Sequence, residues 1–210
     1  MARKVTFGAA CSLDLFIARP DFSYDWIMHT SEANEVMAAY WKTIDTILMG
    51  RKTWDVAQKA GHSGVHSGMT TYVFSRTLPP SETPGLSVVS GDVVEFVRKL
   101  KAEPGRDICM MGGGELARPL FEAGLIDEVG MNVHPVLLGS GVPMFHAMRQ
   151  VDLERIDCRP FRNGCVYVLY AVRGRRATVK AKVKAKERPT AKKGPAARPR
   201  TKRRAAKKKS

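Results

Sequence analysis

Short apolar runs alternate with helical patterns through residues 1–172 of this 210-residue chain. This alternation is typical of an α/β fold, in which helices cross over between parallel strands. The last two apolar runs flank a glycine-containing turn at residues 162–164, which favours a hairpin. The sequence therefore predicts a single α/β domain with a mostly parallel sheet of about eight strands, flanking helices and an antiparallel C-terminal hairpin. The predicted strands are Val5–Cys11, Thr46–Met49, Thr71–Ser75, Leu86–Ser90, Ile108–Met111, Glu128–Pro135, Leu153–Arg159 and Cys165–Val172.

Four helices are predicted between these strands. Ser31 is expected to cap the first, because its hydroxyl can accept a hydrogen bond from a free backbone N–H. The other three are expected to begin near Gly50, Asp92 and Glu115.

Basic residues are concentrated at the C-terminus. Of the 35 Lys and Arg residues, 18 lie in 173–210, where Glu187 is the one acidic residue. The remaining 17 basic and 19 acidic residues leave the first 172 residues slightly acidic. The large aliphatic residues of the tail are Val179 and Val183 alone, so burial cannot offset the entropy of ordering it. We predict a folded domain over 1–172 and a disordered basic tail over 173–210.

Several classes of protein do not fit this composition. No apolar run approaches the ~20 residues of a membrane span, and the N-terminus lacks the pattern of a secretory signal, so we expect a cytoplasmic protein without a membrane partner. The four cysteines are scattered without a C-x-x-C pair, which favours reduced thiols over a disulfide or a zinc site. His62 and His66 lie in a glycine-rich loop without a carboxylate, so no metal site is expected.

Two strand-to-helix junctions have residues that suit phosphate. One is Gly50–Thr53, where two cations and a hydroxyl follow a buried strand at a helix N-terminus. The other is Gly112–Gly114, where glycines let a ligand approach the main chain. Alternatively, the first is a turn with two solvated cations and the second a flexible turn. Two such junctions in one sheet suit a dinucleotide.

A third element is Ser75–Arg76, at the carboxyl end of a predicted strand, where ligands of open α/β sheets bind. The Arg76 guanidinium could bind the 2′-phosphate that distinguishes NADPH from NADH. A solvent-facing arginine is the alternative.

In this order, the segments AACSLDLFIA, LMGRKTW, YVFSR, MMGGGEL and LIDEVGMNVHPVLLGSGVPMF resemble the dihydrofolate reductase-like superfamily. The closest resemblance is to stand-alone bacterial proteins related to the pyrimidine-reductase C-terminal domain of riboflavin biosynthesis, and it covers residues 4–172. It implies an NADPH-dependent oxidoreductase that transfers hydride to a small heterocyclic substrate. Reduction of 5-amino-6-(5-phosphoribosylamino)uracil or of dihydrofolate is the model for this activity.

The resemblance assigns cofactor-binding roles by position. Ala9 and Ala10 would meet the nicotinamide with their backbone, and the loop residues Ile17 and Ala18 would cover it. The other implied cofactor residues are Gly50, Arg51, Lys52, Thr53, Gly112, Gly113 and Gly114 for the phosphates, and Ser75 and Arg76 for the adenosine 2′-phosphate.

At the positions that would bind the substrate, the sequence differs from both the dihydrofolate reductases and the riboflavin-pathway reductases. Asn34, with Glu35 beside it, falls where dihydrofolate reductases have the acid that binds the pterin, and an amide cannot replace that acid. Met111 stands where the riboflavin-pathway reductases have a glutamate. Asp14 is interpreted as a turn-forming carboxylate, with catalysis as the alternative. The catalytic group is therefore unassigned, with Glu35 and Asp14 as weak candidates and Asn34 and Glu35 as substrate residues.

The basic tail suggests an alternative function of a different class, namely association with nucleic acid. Residues 173–210 have the Lys, Ala and Pro composition of nucleoid-protein tails, which bind phosphate backbones by releasing counterions. The folded part would then be a non-catalytic remnant, and the protein would be associated with the nucleoid. A solubilising extension is the third interpretation of the tail. The sequence leaves open whether the protein forms a homodimer.

Overall fold

Ten strands and four helices follow one another along residues 3–173, the part of the chain that the computed structural model describes. The disorder predicted for the basic tail lies outside these residues. The helices are α1 Ser31–Trp41, α2 Arg51–Lys59, α3 Val93–Ala102 and α4 Gly114–Glu122. The strands are β1 Val5–Ser12, β2 Phe16–Ala18, β3 Ile44–Gly50, β4 Thr70–Phe74, β5 Leu86–Val89, β6 Asp107–Met111, β7 Glu128–His134, β8 Val142–Pro143, β9 Leu153–Pro160 and β10 Val166–Val172.

Eight strands form one sheet in the order β5-β4-β3-β6-β1-β7-β10-β9. The six strands from β5 to β7 are parallel, and β10 and β9 are antiparallel to their neighbours. This confirms the predicted fold class, including the C-terminal hairpin. The short strands β2 and β8 pair separately and were not predicted, because two or three residues are too few for a recognisable pattern.

Helices cover the parallel part of the sheet on both faces. On one face Phe7 packs in a core with Leu120 of α4, and α3 contributes to the same core. On the other face Ile47 lies in a second core, against which Trp41 of α1 and Trp54 of α2 pack. The sheet is therefore the middle layer between α1 and α2 on one side and α3 and α4 on the other.

The helices that follow two neighbouring strands, β3 and β6, lie on opposite faces of the sheet. α2 follows β3 directly onto the face of α1, whereas α4 follows β6 onto the face of α3. β3 and β6 are paired in the sheet, so their carboxyl ends lie side by side. In open α/β sheets a reversal of this kind leaves a crevice in which ligands bind. The fold thus places a crevice between the ends of β3 and β6.

One predicted detail is wrong. Thr30, not Ser31, caps α1: it has an extended backbone, and its Oγ1 accepts a hydrogen bond from the N–H of Ala33 at 3.2 Å. Ser31 is already the first helical residue. Two adjacent hydroxyl residues satisfy the same capping pattern, and backbone conformation decides between them.

None of the helices formed by residues 3–173 has the length and apolar character that crossing a membrane requires.

We predict that Gly114→Ala destabilises the fold by about 1–3 kcal/mol, as overpacking does. A β-carbon there would lie 2.4 Å from the carbonyl oxygen of Met144, which is backbone and cannot turn away. Gly50→Ala is the matched control, because its β-carbon would meet only the side chain of Leu116, at 3.9 Å. Urea denaturation measures both, and equal stabilities for the two variants would contradict this packing.

Candidate functional site

The two junctions meet in the crevice between the ends of β3 and β6. A β-carbon on Gly112 would lie 2.6 Å from Oγ1 of Thr53, and Gly112 has φ +74, where glycine is favoured. Gly113 has φ +21, and its β-carbon position lies 3.8 Å from the same hydroxyl. The first turn of α2 therefore packs against the glycine turn that precedes α4.

Both helices that begin in the crevice have no side-chain cap. The N-cap residues are Gly50 for α2 and Gly113 for α4, and neither can provide a capping side chain. By contrast, Thr30 caps α1 and Asp92 caps α3 with side-chain hydrogen bonds. The first N–H groups of α2 and α4 are therefore available to an external acceptor, at the positive ends of two helix dipoles.

The cations of the first junction are paired with carboxylates. Nε of Arg51 donates to both carboxylate oxygens of Asp55, at 2.7 and 2.8 Å, and Nη1 lies 3.4 Å from the hydroxyl of Thr77. Nζ of Lys52 lies 3.3 Å from the carboxylate of Glu115, in the first turn of α4. The Lys52 pair is largely exposed to solvent and the Arg51 pair is half-exposed, so an anion in the crevice could compete for both cations.

The Ser75–Arg76 segment lies beside the first junction, because Gly50 and Phe74 are paired in adjacent strands. The Ser75 hydroxyl is buried and accepts hydrogen bonds from the N–H groups of Thr77 and Leu78, at 3.2 and 3.0 Å. It therefore shapes the turn, while the Arg76 side chain is exposed. Arg51 and Arg76 follow the neighbouring strands β3 and β4, so both lie at the carboxyl end of the sheet.

Ala9 and Ala10 lie where β1 extends past the end of β6. β1 pairs with β6 only as far as Gly8, opposite Met111, and continues against β7 to Ser12. The β6-facing backbone of Ala9 and Ala10 is therefore beyond the ladder and faces the crevice.

The loop dipeptide Ile17–Ala18 belongs to β2 and is held by the pairing of that strand with β8. A β-carbon on Gly141 would lie 2.2 Å from the carbonyl oxygen of Ala18, so the two segments are in close contact. Ile17 is half-buried against the core of the α3 and α4 face. The loop after β1 is thereby fixed at its base.

The carboxylate of Asp14 holds the same loop in place through hydrogen bonds. Its Oδ1 accepts hydrogen bonds from the Ser12 hydroxyl at 2.6 Å and the N–H of Leu138 at 3.1 Å, and its Oδ2 accepts one from the N–H of Gly139 at 2.8 Å. The hydrogen bond from Ser12 is the main cause of a lowered pKa of this carboxyl, and the two backbone N–H groups lower it further. An ionised carboxylate with these partners joins two loops and has no proton to donate.

Asn34 and Glu35, the predicted substrate residues, are exposed on α1. Glu32, one turn earlier, accepts a hydrogen bond from the N–H of Arg162 at 3.1 Å and so links α1 to the C-terminal hairpin. None of these three carboxylate or amide groups lies among the crevice residues just described.

A buried cluster that the sequence did not reveal surrounds His134 at the end of β7. The imidazole is fully buried, its ring meets that of Trp26 edge to face at 5.4 Å, and Nδ1 lies 3.2 Å from Sγ of Cys165. Burial lowers the pKa of His134, and the nearby His29 lowers it further. Its position at the end of a strand was the one signal available, because the partners come from distant parts of the chain.

Among residues 3–173, no three His, Cys, Asp or Glu side chains are grouped so that they could hold a metal ion. His62 lies in an exposed loop, and His66 stacks on Trp41 with 5.7 Å between ring centroids. The four cysteines are free thiols.

Comparisons with known proteins show which family this architecture belongs to. The family model named RibD C-terminal domain matches residues 3–167. Uncharacterized protein YyaP of Bacillus subtilis (strain 168) is 32% identical over 181 residues, which is 80% of this chain and 94% of that protein.

Two solved structures show the same fold. A protein from Shewanella sp. PV-4 named for riboflavin biosynthesis has a TM-score of 0.71 at 24% identity, covering 83% of this chain and 100% of that one. Dihydrofolate reductase from Enterococcus faecalis, solved in complex with NADP(H), has a TM-score of 0.59 at 16% identity, covering 83% and 100%. The resemblance predicted from the sequence is confirmed.

We predict that protonation of His134 opposes folding. Its pKa is lowered in the folded protein, so as pH falls below about 6.5 the unfolded chain takes up the proton first and the free energy of unfolding decreases. The variant His134→Gln lacks the titrating imidazole, so its free energy of unfolding should lack this part of the pH dependence. Thermal denaturation of both proteins between neutral and mildly acidic pH measures it, and identical pH dependences would show that the imidazole is not held neutral.

Proposed function

The chain belongs to the RibD C-terminal domain family, and we propose that it is an NADPH-dependent reductase acting on a small heterocycle. The observation that carries the proposal is the contact of two uncapped helix N-termini, those of α2 and α4, in the crevice between β3 and β6. Free N–H groups on two converging helices fit a ligand with more than one phosphate.

The residues of the crevice fit the phosphates of a dinucleotide. The N–H groups at the start of α2 and α4 would donate to phosphate oxygens, and the absence of a side chain at Gly112 leaves room for the Thr53 hydroxyl at the same place. Lys52 would exchange its exposed partner Glu115 for a phosphate, which offers more charge.

The choice of NADPH over NADH depends on two guanidinium groups. Arg51 and Arg76 follow the paired residues Gly50 and Phe74, so both reach the same edge of the sheet. A 2′-phosphate there would accept charge-assisted hydrogen bonds from them, whereas the 2′-hydroxyl of NADH would gain little. The Ser75 hydroxyl holds the turn that presents Arg76.

The nicotinamide end would lie against Ala9 and Ala10, where the backbone of β1 extends past β6. When bound, NADPH would supply a hydride from C4 of its nicotinamide ring for the two-electron reduction of a C=N or C=O bond, water would supply the proton, and NADP⁺ would be the other product. The loop that Asp14 and Ile17–Ala18 fix at its base would exclude water around that ring.

We predict that Arg76→Ala raises the Kd for NADPH about 10- to 100-fold, the effect of losing a hydrogen bond to a charged group, and changes the Kd for NADH less than about twofold. Arg155→Ala is the matched control, because Arg155 is an exposed arginine on β9, the last strand of the sheet on the side away from β3 and β4. Titration with each reduced cofactor, followed by the fluorescence of its nicotinamide ring, measures the two Kd values. Equal losses for the two cofactors would place Arg76 outside the 2′-phosphate site.

A second function is proposed for the tail on its charge alone. Residues 173–210 hold 18 of the 35 basic residues, in a chain whose formal net charge is +15. Such a segment binds nucleic-acid phosphates by counterion release, without sequence preference.

We predict that the full chain binds DNA with an affinity that falls by about 0.9 log units per log unit of salt for each phosphate neutralised. A chain that ends at Val172 should lose this binding and keep its affinity for NADPH. Fluorescence anisotropy with two unrelated duplexes measures both properties. Salt-insensitive binding, or binding that survives truncation, would contradict a role for the tail.

A further inference from the structure

Residues 19–28, which we call the outer loop, follow the part of the loop after β1 that β2 and β8 hold in place. Within the described part of the chain, the hydrogen bonds of residues 19–27 connect these residues to one another, as from the N–H of Arg19 to the carbonyl of Ser23. The hydrogen bond that leaves the outer loop is donated by the N–H of Met28 to Nδ1 of His134, at 3.3 Å. The outer loop is therefore joined to the sheet by hydrogen bonding at one side chain.

The closed position of this loop has a cost in free energy. Among residues 3–173, the residues other than glycine with a positive φ are Leu15 and Phe22, at +64 and +66, a region that is strained for a residue with a side chain. Nε1 of Trp26 is buried without a hydrogen-bond partner from those residues. A cavity of about 390 Å³ separates residues 21–24 from α2. Segments with such costs and few contacts are the ones that open locally.

The imidazole of His134 holds the outer loop through two contacts. It is fully buried, its ring meets that of Trp26 edge to face, and Nδ1 accepts the hydrogen bond from Met28. On its other side, Sγ of Cys165 lies 3.2 Å from Nδ1. A backbone N–H can only donate, so Nδ1 carries no proton, and the neutral ring has its proton on Nε2.

Protonation of the ring reverses the contact with the outer loop. An imidazolium has a hydrogen on both nitrogens, so Nδ1 can no longer accept, and its N–H faces the N–H of Met28. The charge would also be buried, and a buried charge without a counter-ion is costly. Movement of the outer loop away from His134 removes the repulsion and admits water to the ring.

The groups around the imidazole do not supply a counter-ion. Burial raises the pKa of Cys165, so its side chain is a neutral thiol, and a charge on His29 would oppose a charge on His134. The Asp14 carboxylate is hydrogen-bonded to the Ser12 hydroxyl and to two backbone N–H groups. The facing groups are His29 after the outer loop, Cys165 of the hairpin, Ser12 of β1 with its partner Asp14, Asn132 of β7, and the ion pair of Glu32 and Arg162 between α1 and the hairpin.

We propose that His134 is a positioning residue, which holds the outer loop closed while its imidazole is neutral and releases the loop when the imidazole is protonated. The consequence for turnover rests on the proposed reductase function, in which the loop after β1 excludes water from the nicotinamide. The release itself requires no cofactor.

The pH range of the release follows from the burial of the ring. Burial lowers the pKa of His134 in the closed protein, whereas a ring that water reaches titrates near the ordinary value of about 6.5. As pH falls below about 6.5, the open form takes up the proton first. The ratio of open to closed protein then rises by up to tenfold for each pH unit, and the loop stays closed above neutral pH.

The test uses the full chain labelled with 5-fluorotryptophan and followed by ¹⁹F NMR from pH 8 to pH 5. The chain has three tryptophans, and the signal of Trp26 is the one missing in Trp26→Phe. This signal should move toward that of free 5-fluorotryptophan, with a midpoint below pH 6.5. The signals of Trp41 and Trp54, which pack against the core on the other side of α1 and α2 from solvent, should stay in place.

Variants separate the role of His134 from packing. His134→Asn places an acceptor about where Nδ1 lies and cannot be protonated, so the Trp26 signal should keep its closed position down to pH 5. His134→Leu fills the space without an acceptor, and its loop should be open at pH 8. His29→Gln removes the neighbouring imidazole and is the matched control, with the same response as the parent chain. Because the parent chain and His29→Gln must both show the release, the test stands even if a His134 variant does not fold.

Three results would overturn the proposal. These are a Trp26 signal that stays in its closed position to pH 5, movement of all three tryptophan signals together, and release in His134→Asn at the midpoint of the parent chain. NADPH titration of the same samples at pH 7.5 distinguishes the two claims. If NADPH binds while the Trp26 signal ignores pH, the role of His134 is wrong and the reductase proposal stands. If the loop is released as described while NADPH does not bind, the reductase proposal fails alone.

Discussion

The contact between Thr53 and Gly112 is the constraint on which the candidate site depends. It exists because β3 and β6 are paired while the helices that follow them cross to opposite faces of the sheet. A side chain at Gly112 would collide with the Thr53 hydroxyl, so this turn needs glycine for its space as well as for its backbone conformation. The same contact brings together two helix N-termini without side-chain caps, and their free N–H groups make the crevice a site for anions.

Other parts of the molecule are arranged around this crevice. On one side, pairing of β3 with β4 places Arg51 and Arg76 at the same edge of the sheet. On the other side, β1 extends past β6 and leaves the backbone of Ala9 and Ala10 facing the gap. A dinucleotide that spans from the arginines to the alanines would place its nicotinamide beside the backbone of β1.

Much of this could be predicted from the sequence, because it depends on local patterns. Glycine at the end of a buried strand indicates a turn into a helix, and this located both junctions. The Asp14 turn is local too, since its partner Ser12 is two residues away. Sequence patterns could not reveal the environment of His134, because its partners Trp26 and Cys165 come from distant parts of the chain and meet it only through tertiary packing. They also could not show that Asn34 and Glu35 are exposed on α1, because the rotation of a helix depends on what it packs against.

The most direct test of the account is hydrogen–deuterium exchange of the full chain with and without NADPH, followed by peptide mass spectrometry. The account predicts that NADPH slows exchange in peptides that contain the first turns of α2 and α4, and in the segment of β1 around Ala9 and Ala10. The C-terminal hairpin of β9 and β10 should be unchanged. Binding of NADPH that leaves both helix starts unprotected, or protects only segments outside the crevice, would contradict it.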